Sequence, residues 1–578
     1  MHQELTCRAI VPGIAAGPLI HADTGLSFMG GVDAASGKVI DSHHPLHGKD
    51  LSGSILALPS GRGSCSGSLV IFELLMNGNS PKALIFQHRE TILTFGVLLA
   101  EELFKRGIPV VSVSEADFAR LAGAPHVKVD GENLTLSDTA FLEVAHRVDL
   151  PSLDASEMVI TEADQECLDG GDSEARRIAL RLILRTAQLE GANSLIDVDM
   201  AHIDGCFYQG PAGLDFVRKM IELGAKVKIP TTMNALCVDR RTWRQSGVDT
   251  VIGEASDELA DAYLRMGVRS SYTCAPYLLK GAPKLGQQIA WGESNAVVFA
   301  NSVLGARTLK YPDYLDFLVS LTGRAPNADC HVPERRHATL RLDVETPPAI
   351  DDAYFACLGY HLGKISPHDI PVITGLEGLP VTHDHLKTFG AAFATTSAAP
   401  MFHIVGITPE APTVAAATGS AETRQVVVSI ASLGETYAEL NTAMSAKPDL
   451  IALGNPHFSL SEIAMLASLC RGRKKAEGLS MVITCGREVF EQAEAAGDAA
   501  DVRAFGGTFV NDTCWCLIAG PVVGRSVRTI ATNSGKYAHY GAALEDKSFH
   551  LASLERCVEA ACSGAIDTTR PKWLSAEH

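Results

Sequence analysis

The sequence predicts an α/β protein: a large multi-layer region built on parallel sheets, preceded by a smaller N-terminal unit of mixed strands and helices. Three observations point there. From about residue 173 onward, short apolar runs alternate with helical patterns, and strands separated by helices build parallel sheets covered on both faces. The first part instead mixes buried-strand runs with a hairpin signal, Asp130-Gly131 between alternating apolar residues. A chain of 578 residues is also too long for one core, so two or three domains are expected.

In the N-terminal unit, the apolar runs Ser54–Leu58, Ala83–Gln87 and Pro109–Ser114 read as buried strands, with helices at Ser68–Met76 and Thr91–Arg106. His126–Leu136 is the hairpin. The polar segment Val148–Glu157 carries a proline and lacks periodicity, which makes it a linker. The division is therefore 1–147, a linker over 148–157, and 158–578. Beyond the linker come helix Ser173–Leu189, strand Ser194–Val198, helix Gly213–Leu223 and strand Lys226–Pro230. The second half repeats the habit with strand Gln425–Ile430, helix Gly434–Met444, strand Asp449–Leu453, helix Leu460–Leu469 and strand Met481–Thr484. A break near 325–337 splits the larger region into two lobes.

The charge balance narrows the function. A net charge of −18 argues against nucleic acid, because phosphate binding needs clustered Lys and Arg. A small anionic substrate needs only a few local cations. Met1–Ala9 lacks the basic start and apolar run of a secretory signal, and the most apolar stretches, Gly67–Met76 and Thr91–Leu103, are too short or too interrupted to span a bilayer. The expectation is a cytoplasmic chain without a membrane partner, compatible with a monomer. In a reducing compartment its 14 cysteines are core residues, metal ligands or catalytic thiols rather than disulfides.

Two kinds of segment carry chemistry. The first is Ser60-Gly61-Arg62-Gly63-Ser64-Cys65-Ser66-Gly67-Ser68, a glycine-rich turn that follows a strand and opens a helix. Its backbone N–H groups suit an anion at the helix start, but it lacks the Lys-Ser/Thr pair of a Walker loop. Gly63-x-Cys65-x-Gly67 also has the look of a nucleophile elbow with an exposed Cys65, and the pattern alone does not choose between Ser64 as proton acceptor and Cys65 as nucleophile. The second kind is a set of polar loops directly after strands: Gly454-Asn455-Pro456-His457, Cys485-Gly486, Asn511-Asp512-Thr513-Cys514 and Thr532-Asn533-Ser534-Gly535-Lys536. Ligands in open α/β sheets bind beyond the carboxyl ends of the strands, so these loops mark a site. Cys274, Cys514 and Cys516 are the most suggestive thiols; on a strand, Cys514 and Cys516 would share a face. No compact ferredoxin-like run exists, so a cluster here would draw ligands from distant segments. His383 and His385 form a His-x-His pair whose plainer reading is a polar helix start.

Taken together these pieces resemble the aconitase X family over essentially the whole chain. The N-terminal unit resembles the family's swivel domain through Arg62-Gly63-Ser64-Cys65-Ser66-Gly67-Ser68. The larger region resembles its catalytic part through Ala201-His202-Ile203-Asp204-Gly205-Cys206, Ile229-Pro230-Thr231-Thr232-Met233-Asn234, Thr273-Cys274-Ala275-Pro276-Tyr277, Gly454-Asn455-Pro456-His457, Asp512-Thr513-Cys514 and Ala531-Thr532-Asn533-Ser534-Gly535-Lys536. Each motif is short, but their order is specific.

The resemblance implies a hydro-lyase, acting either on cis-3-hydroxy-L-proline, as in fused bacterial chains, or on mevalonate 5-phosphate, as in two-subunit archaeal enzymes. The fused arrangement and Ile203-Asp204-Gly205-Cys206 favour hydroxyproline. It implies an iron–sulfur cluster held at Cys274, Asn455 and Cys514; since archaeal relatives carry a cysteine at the Asn455 position, [2Fe-2S] is favoured over [4Fe-4S] or [3Fe-4S], with Cys206, Cys485 or Cys516 as a replacement thiol. It implies Ser64 as the proton acceptor, helped by Arg62 or a relay, and Ile203, Asp204, Gly205, Asn234 and Lys536 as substrate contacts, Lys536 facing a carboxylate. His457 is a further candidate, as acid for the leaving hydroxyl. Two readings compete: a cysteine hydrolase using Cys65, and an iron-sensing RNA-binding protein, which the acidic balance disfavours.

Overall fold

A computed structural model describes residues 2–142, 144, 147–150, 153, 158–347, 349–420, 422–518, 520–545 and 547–574. Most of the linker expected over 148–157 (151, 152 and 154–157) therefore lies outside the described residues. The chain forms two compact units. One holds Met1–Thr231, Ala262–Val268 and Tyr311–Asp329; the other holds Thr232–Asp261, Arg269–Lys310 and Cys330–His578.

The first unit is built around a nine-stranded mixed sheet among the described residues. At its centre Gly13–His21, Ile55–Leu58, Ala83–Phe86 and Val110–Ser112 run parallel. Every residue of Ile55–Leu58 and Ala83–Phe86 is buried, as a parallel strand covered on both faces requires. Helices Gly67–Asn77 and Ile92–Phe104 pack against each other beside it. The hairpin is present as His126–Asp130 paired antiparallel with Asn133–Ser137, and its alternation sends Val127, Val129, Leu134 and Leu136 into the core.

Farther along the same unit, Ser173 caps helix Glu174–Leu189 by accepting from the Arg176 N–H, and Thr161 forms a capping box with Asp164. Two expectations are corrected here. The strand expected at Ser194–Val198 is Leu195–Asp197, and it pairs antiparallel with Arg324–Pro326 rather than joining a parallel sheet. Lys226–Pro230 is not a strand: Val227 donates to the Met266 carbonyl and Lys228 to that of Ser320, so these N–H groups are satisfied without a ladder. Extended pairing starts only at Thr231.

The second unit contains two parallel sheets. A four-stranded sheet has the order His403–Ile404, Pro371–Thr374, Leu340–Val344, Arg424–Val428. Helices Asp352–Ile365 and His383–Thr396 pack so closely that a Cβ on Gly359 would collide with the Phe389 carbonyl oxygen. The five-stranded sheet has the order Thr508–Val510, Ser480–Thr484, Leu450–Leu453, Thr529–Thr532, Ser548–Leu551, all parallel. Its core gathers Ile451, Leu453, Ile463, Leu466, Ile483 and Val558. The helix expected at Gly434–Met444 is Ile430–Leu440, because Ser429 caps it by accepting from the Ser432 N–H. Among the described residues no helix is long and apolar enough to cross a membrane.

Candidate functional site

All four polar loops leave the carboxyl edge of the five-stranded sheet. Gly454 has φ +96° and its α-carbon faces the Thr484 carbonyl and hydroxyl, so only glycine passes there. Pro456 follows through a cis peptide. The neighbouring loop turns on Asp512, at φ +63°, a conformation that costs energy for a non-glycine residue and persists only when over-determined. Here Arg487 binds both Asp512 oxygens, the Arg240 N–H reaches Oδ2 at 3.2 Å, and the Leu236 N–H reaches the backbone oxygen at 2.6 Å. That clamp presents Thr513 and Cys514.

Cys274 and Cys514 meet in this region, packed with Ala235, Cys516 and Leu517. Burial opposes ionisation of Cys274, but the Cys514 thiol donating to it, with His457 and Lys536 nearby, lowers it to about 6. Cys514, as the donor and buried, moves the other way. The two shifts run in opposite directions because one thiol donates to the other. The His457 backbone N–H adds a 3.3 Å bond to the Cys274 sulfur.

Cys516 completes the group. The Asn455 Nδ2 donates to its sulfur at 3.1 Å, so the Asn455 amide supports Cys516. The strand geometry expected for Cys514 and Cys516 is replaced by a turn: the N–H groups of Leu517 and Ile518 both return to the Cys514 carbonyl, and the Trp515 indole holds the Leu453 carbonyl at 2.7 Å. Cys485 takes an N–H from Asn511 instead, and burial pushes its thiol up to about 12. His457 has both ring nitrogens engaged, Nδ1 with Thr273 Oγ1 at 3.0 Å and Nε2 with the Thr513 carbonyl at 2.8 Å. It ties the two cysteine loops together, and neither nitrogen is left to act as an acid.

Beside the thiols lies a polar hub that sequence reasoning missed, Glu293. Lys536 Nζ lies 2.9 Å from its Oε1, Asn234 Nδ2 donates to its Oε2 at 3.0 Å, and Asn295 Nδ2 to Oε1 at 2.6 Å. Asn295 also donates to the Cys274 carbonyl. A protein carboxylate, Glu293, thus already holds the Lys536 ammonium. Burial works against both charges, but each stabilises the other: Glu293 is shifted down and Lys536 up. The cue was available in Trp291-Gly292-Glu293-Ser294-Asn295, a polar string directly after the short strand Ala290–Trp291.

Donor chemistry is the test of fit for a thiolate-bound iron group. Three thiols from two distant segments, with a lysine to balance their charge, suit soft iron. Among the described residues no three His, Cys, Asp or Glu side chains form a metal-holding group; Cys274 packs against Cys514, and Cys516 accepts from Asn455. His383 and His385 are not ligands: the first sits edge-on to Phe299 and the second stacks on Phe355.

The first unit holds the other expected residues. Ser64 is partly exposed at the turn into helix Gly67–Asn77. It donates to Ser66 Oγ at 3.2 Å, Ser66 Oγ donates to Asp204 Oδ2 at 3.3 Å, and the Ser66 N–H returns to Ser64 Oγ at 3.2 Å. The Arg62 charge is spent on Asp41, 3.0 Å away. Cys65 is fully buried rather than exposed at an elbow, which removes the structural basis of the cysteine hydrolase. Ile203 ends the strand Ala201–Ile203, fully buried; the Asp204 N–H reaches Asp316 Oδ2 at 2.7 Å, and the Tyr263 hydroxyl donates to the Gly205 carbonyl at 3.0 Å. The Cys206 thiol points at the Ile203 carbonyl.

Comparison with known proteins follows the same lines. Family models match the aconitase X swivel domain at residues 4–137, the first domain at 157–334, the second at 338–438 and the third at 448–563. The chain is 49% identical to cis-3-hydroxy-L-proline dehydratase of Hypocrea jecorina, covering 98% of this chain and 97% of that one. It is 31% identical to the phosphomevalonate dehydratase large subunit of Methanocaldococcus jannaschii, over 66% of this chain and 95% of that one. The crystal structure of holo-form aconitase X from Thermococcus kodakaraensis superposes with a TM-score of 0.64 at 31% identity, over 70% of this chain and all of that one.

Proposed function

This chain belongs to the aconitase X family, and from that premise we propose that it is a hydro-lyase converting cis-3-hydroxy-L-proline to Δ1-pyrroline-2-carboxylate. The observation that carries the reading is the buried Cys274–Cys514 pair beside Lys536 and Glu293, in a chain that matches a named dehydratase over nearly its full length. The likeness to the phosphomevalonate dehydratase large subunit is more distant and covers only 66% of this chain, and a phosphomevalonate dehydratase small subunit matches separately over 22% of it. We keep the division into a swivel domain at 1–147, a linker at 148–157 and a catalytic region at 158–578, with a small-molecule substrate and a cytoplasmic setting.

An iron–sulfur cluster is the cofactor this fold points to. Cys274 and Cys514 would hold it, with Asn455 or, in its place, the adjoining Cys516 at the third position; with an asparagine at position 455, the [2Fe-2S] form is proposed over [4Fe-4S] or [3Fe-4S]. When bound, it supplies a Lewis acid for the C3 hydroxyl, a poor leaving group by itself. The remaining chemistry belongs to the chain. Ser64 takes the Cα proton, and the electron pair of that C–H bond forms the C2–C3 double bond as the C3–O bond breaks. The resulting enamine moves its nitrogen proton to C3 and becomes the imine product. Asn234, Lys536 and Ile203–Gly205 are proposed as substrate contacts, Lys536 as a cation already placed by Glu293.

The test is direct. Freshly isolated protein is analysed for iron and sulfide, then incubated separately with cis-3-hydroxy-L-proline and mevalonate 5-phosphate. Pyrroline formation from the first alone is the expected result; turnover of the second alone, or of neither by iron-loaded protein, rejects the proposal.

A further inference from the structure

A serine hydroxyl is far too weak a base to remove a Cα proton unless its own proton has somewhere to go. In the first unit the Ser64 proton has one visible exit. The hydrogen bonds run in a single direction, from Ser64 Oγ to Ser66 Oγ at 3.2 Å and from Ser66 Oγ to Asp204 Oδ2 at 3.3 Å. Ser64 is the partly exposed end; Ser66 and Asp204 are 3% and 1% exposed. The Ser66 backbone N–H, also 3.2 Å from Ser64 Oγ, is placed to stabilise an alkoxide there.

Two details separate this chain from ordinary turn packing. Ser66 stands at the N-cap of helix Gly67–Asn77, where a serine hydroxyl normally accepts from a helix N–H, yet its side chain makes no cap bond and turns to Asp204 instead. The Asp204 backbone is fixed by its N–H bond of 2.7 Å to Asp316 Oδ2, so its carboxylate is held at the end of the chain of hydroxyls.

We infer that Ser64, Ser66 and Asp204 form a proton relay in which Ser66 and Asp204 are positioning residues that make Ser64 a base. The inference rests on Ser64 being the proton acceptor. The balance closes. The Ser64 proton passes to Ser66 Oγ as the Ser66 proton passes to Asp204, leaving an alkoxide at Ser64 and a carboxylic acid at Asp204. Ser64 then takes the Cα proton, hydroxide leaves C3, and the proton on Asp204 returns along the relay to make water.

The relay gives the Asp204 carboxylate a proton-handling role in addition to the substrate contact proposed for Ile203–Gly205, and it gives Ser66 a role beyond its turn. Because the Ser66 hydroxyl does not cap its helix, removing it leaves the fold in place.

Iron-loaded Ser66→Ala should keep its cluster absorbance and its KM but lose about 100-fold or more in kcat, the usual worth of a positioned proton transfer. Ser66→Thr, which keeps the hydroxyl, should restore most of that loss, and Asp204→Asn should match Ser66→Ala. The wild-type rate in mixtures of H2O and D2O should curve with deuterium content, as several moving protons require, and the curvature should vanish in Ser66→Ala. Ser64→Ala separates the two layers. If it stays active, the proton-acceptor reading fails; if it is inactive while Ser66→Ala retains wild-type kcat and the same curvature, the relay alone is overturned. An Asp204→Asn variant that raises KM with kcat unchanged also overturns it, because the carboxylate then acts in substrate binding alone.

Discussion

Lys536 extends its ammonium to 2.9 Å from Oε1 of Glu293, and both side chains are buried. That ion pair organises the polar half of the second unit's site, because the same carboxylate takes Asn234 and Asn295, and Asn295 in turn holds the Cys274 carbonyl. A buried charge that loses its partner costs on the order of 3–5 kcal/mol. Glu293→Gln keeps the shape and removes the charge, so it should lower stability to urea by an amount in that range. Glu293→Gln with Lys536→Met should recover part of it. A single variant that unfolds at the wild-type urea concentration contradicts the hub.

The thiol assignments differ in what they predict. Cys274→Ser and Cys514→Ser should each abolish the visible absorbance and the bound iron. Cys516→Ser should do so too, since the Asn455 amide is engaged with the Cys516 sulfur. Cys485→Ser should leave iron content unchanged, since its sulfur is engaged with Asn511. Iron analysis of the four purified proteins checks the set, and an iron-replete Cys516→Ser would return the third position to Asn455.

His457 separates holding a site together from doing chemistry in it. Its ring spans Thr273 and Thr513, the residues just before Cys274 and Cys514. His457→Ala should release both loops, lower bound iron and reduce thermal stability, each buried hydrogen bond being worth about 1 kcal/mol. A variant with full iron content and a loss confined to kcat would restore the acid role.

How far the sequence was legible follows from the same residues. Period-two and period-3.6 patterns located the sheets, since burying a strand on both faces leaves an apolar run such as Ile55–Leu58 that no other constraint disguises. Polar loops after strands located the thiol site, because a loop such as Gly454–His457 needs a glycine for its turn. What escaped was partnership. Glu293 caps a helix and Ser66 stands at an N-cap position without capping it, and nothing in a one-dimensional pattern says that Lys536, 243 positions later, or Asp204, 138 positions later, is the partner. Cys65 failed for the opposite reason: the Gly-x-Cys-x-Gly pattern states that a turn exists but not which side chain it exposes.

Asp352 makes the stability of the second unit depend on pH. Burial raises its carboxyl from 3.8 to about 7, and the neighbouring Asp351 adds to the effect, against the Asn533 amide and the Leu554 N–H, which favour the charge. The folded chain therefore holds this proton more tightly than the unfolded chain. Between about 4 and about 7 the unfolded state binds fewer protons, so stability falls as pH rises through that window and levels off above it. The loss is on the order of 2–4 kcal/mol. Asp352→Asn, whose amide stands in for the neutral acid, should unfold at a temperature that changes less between pH 5 and pH 8 than the wild type does, roughly by the share that this one carboxyl contributes. Melting curves of the two proteins across that range decide it: parallel curves mean that Asp352 is charged in the folded chain and that its neighbours, not its proton, pay for its burial.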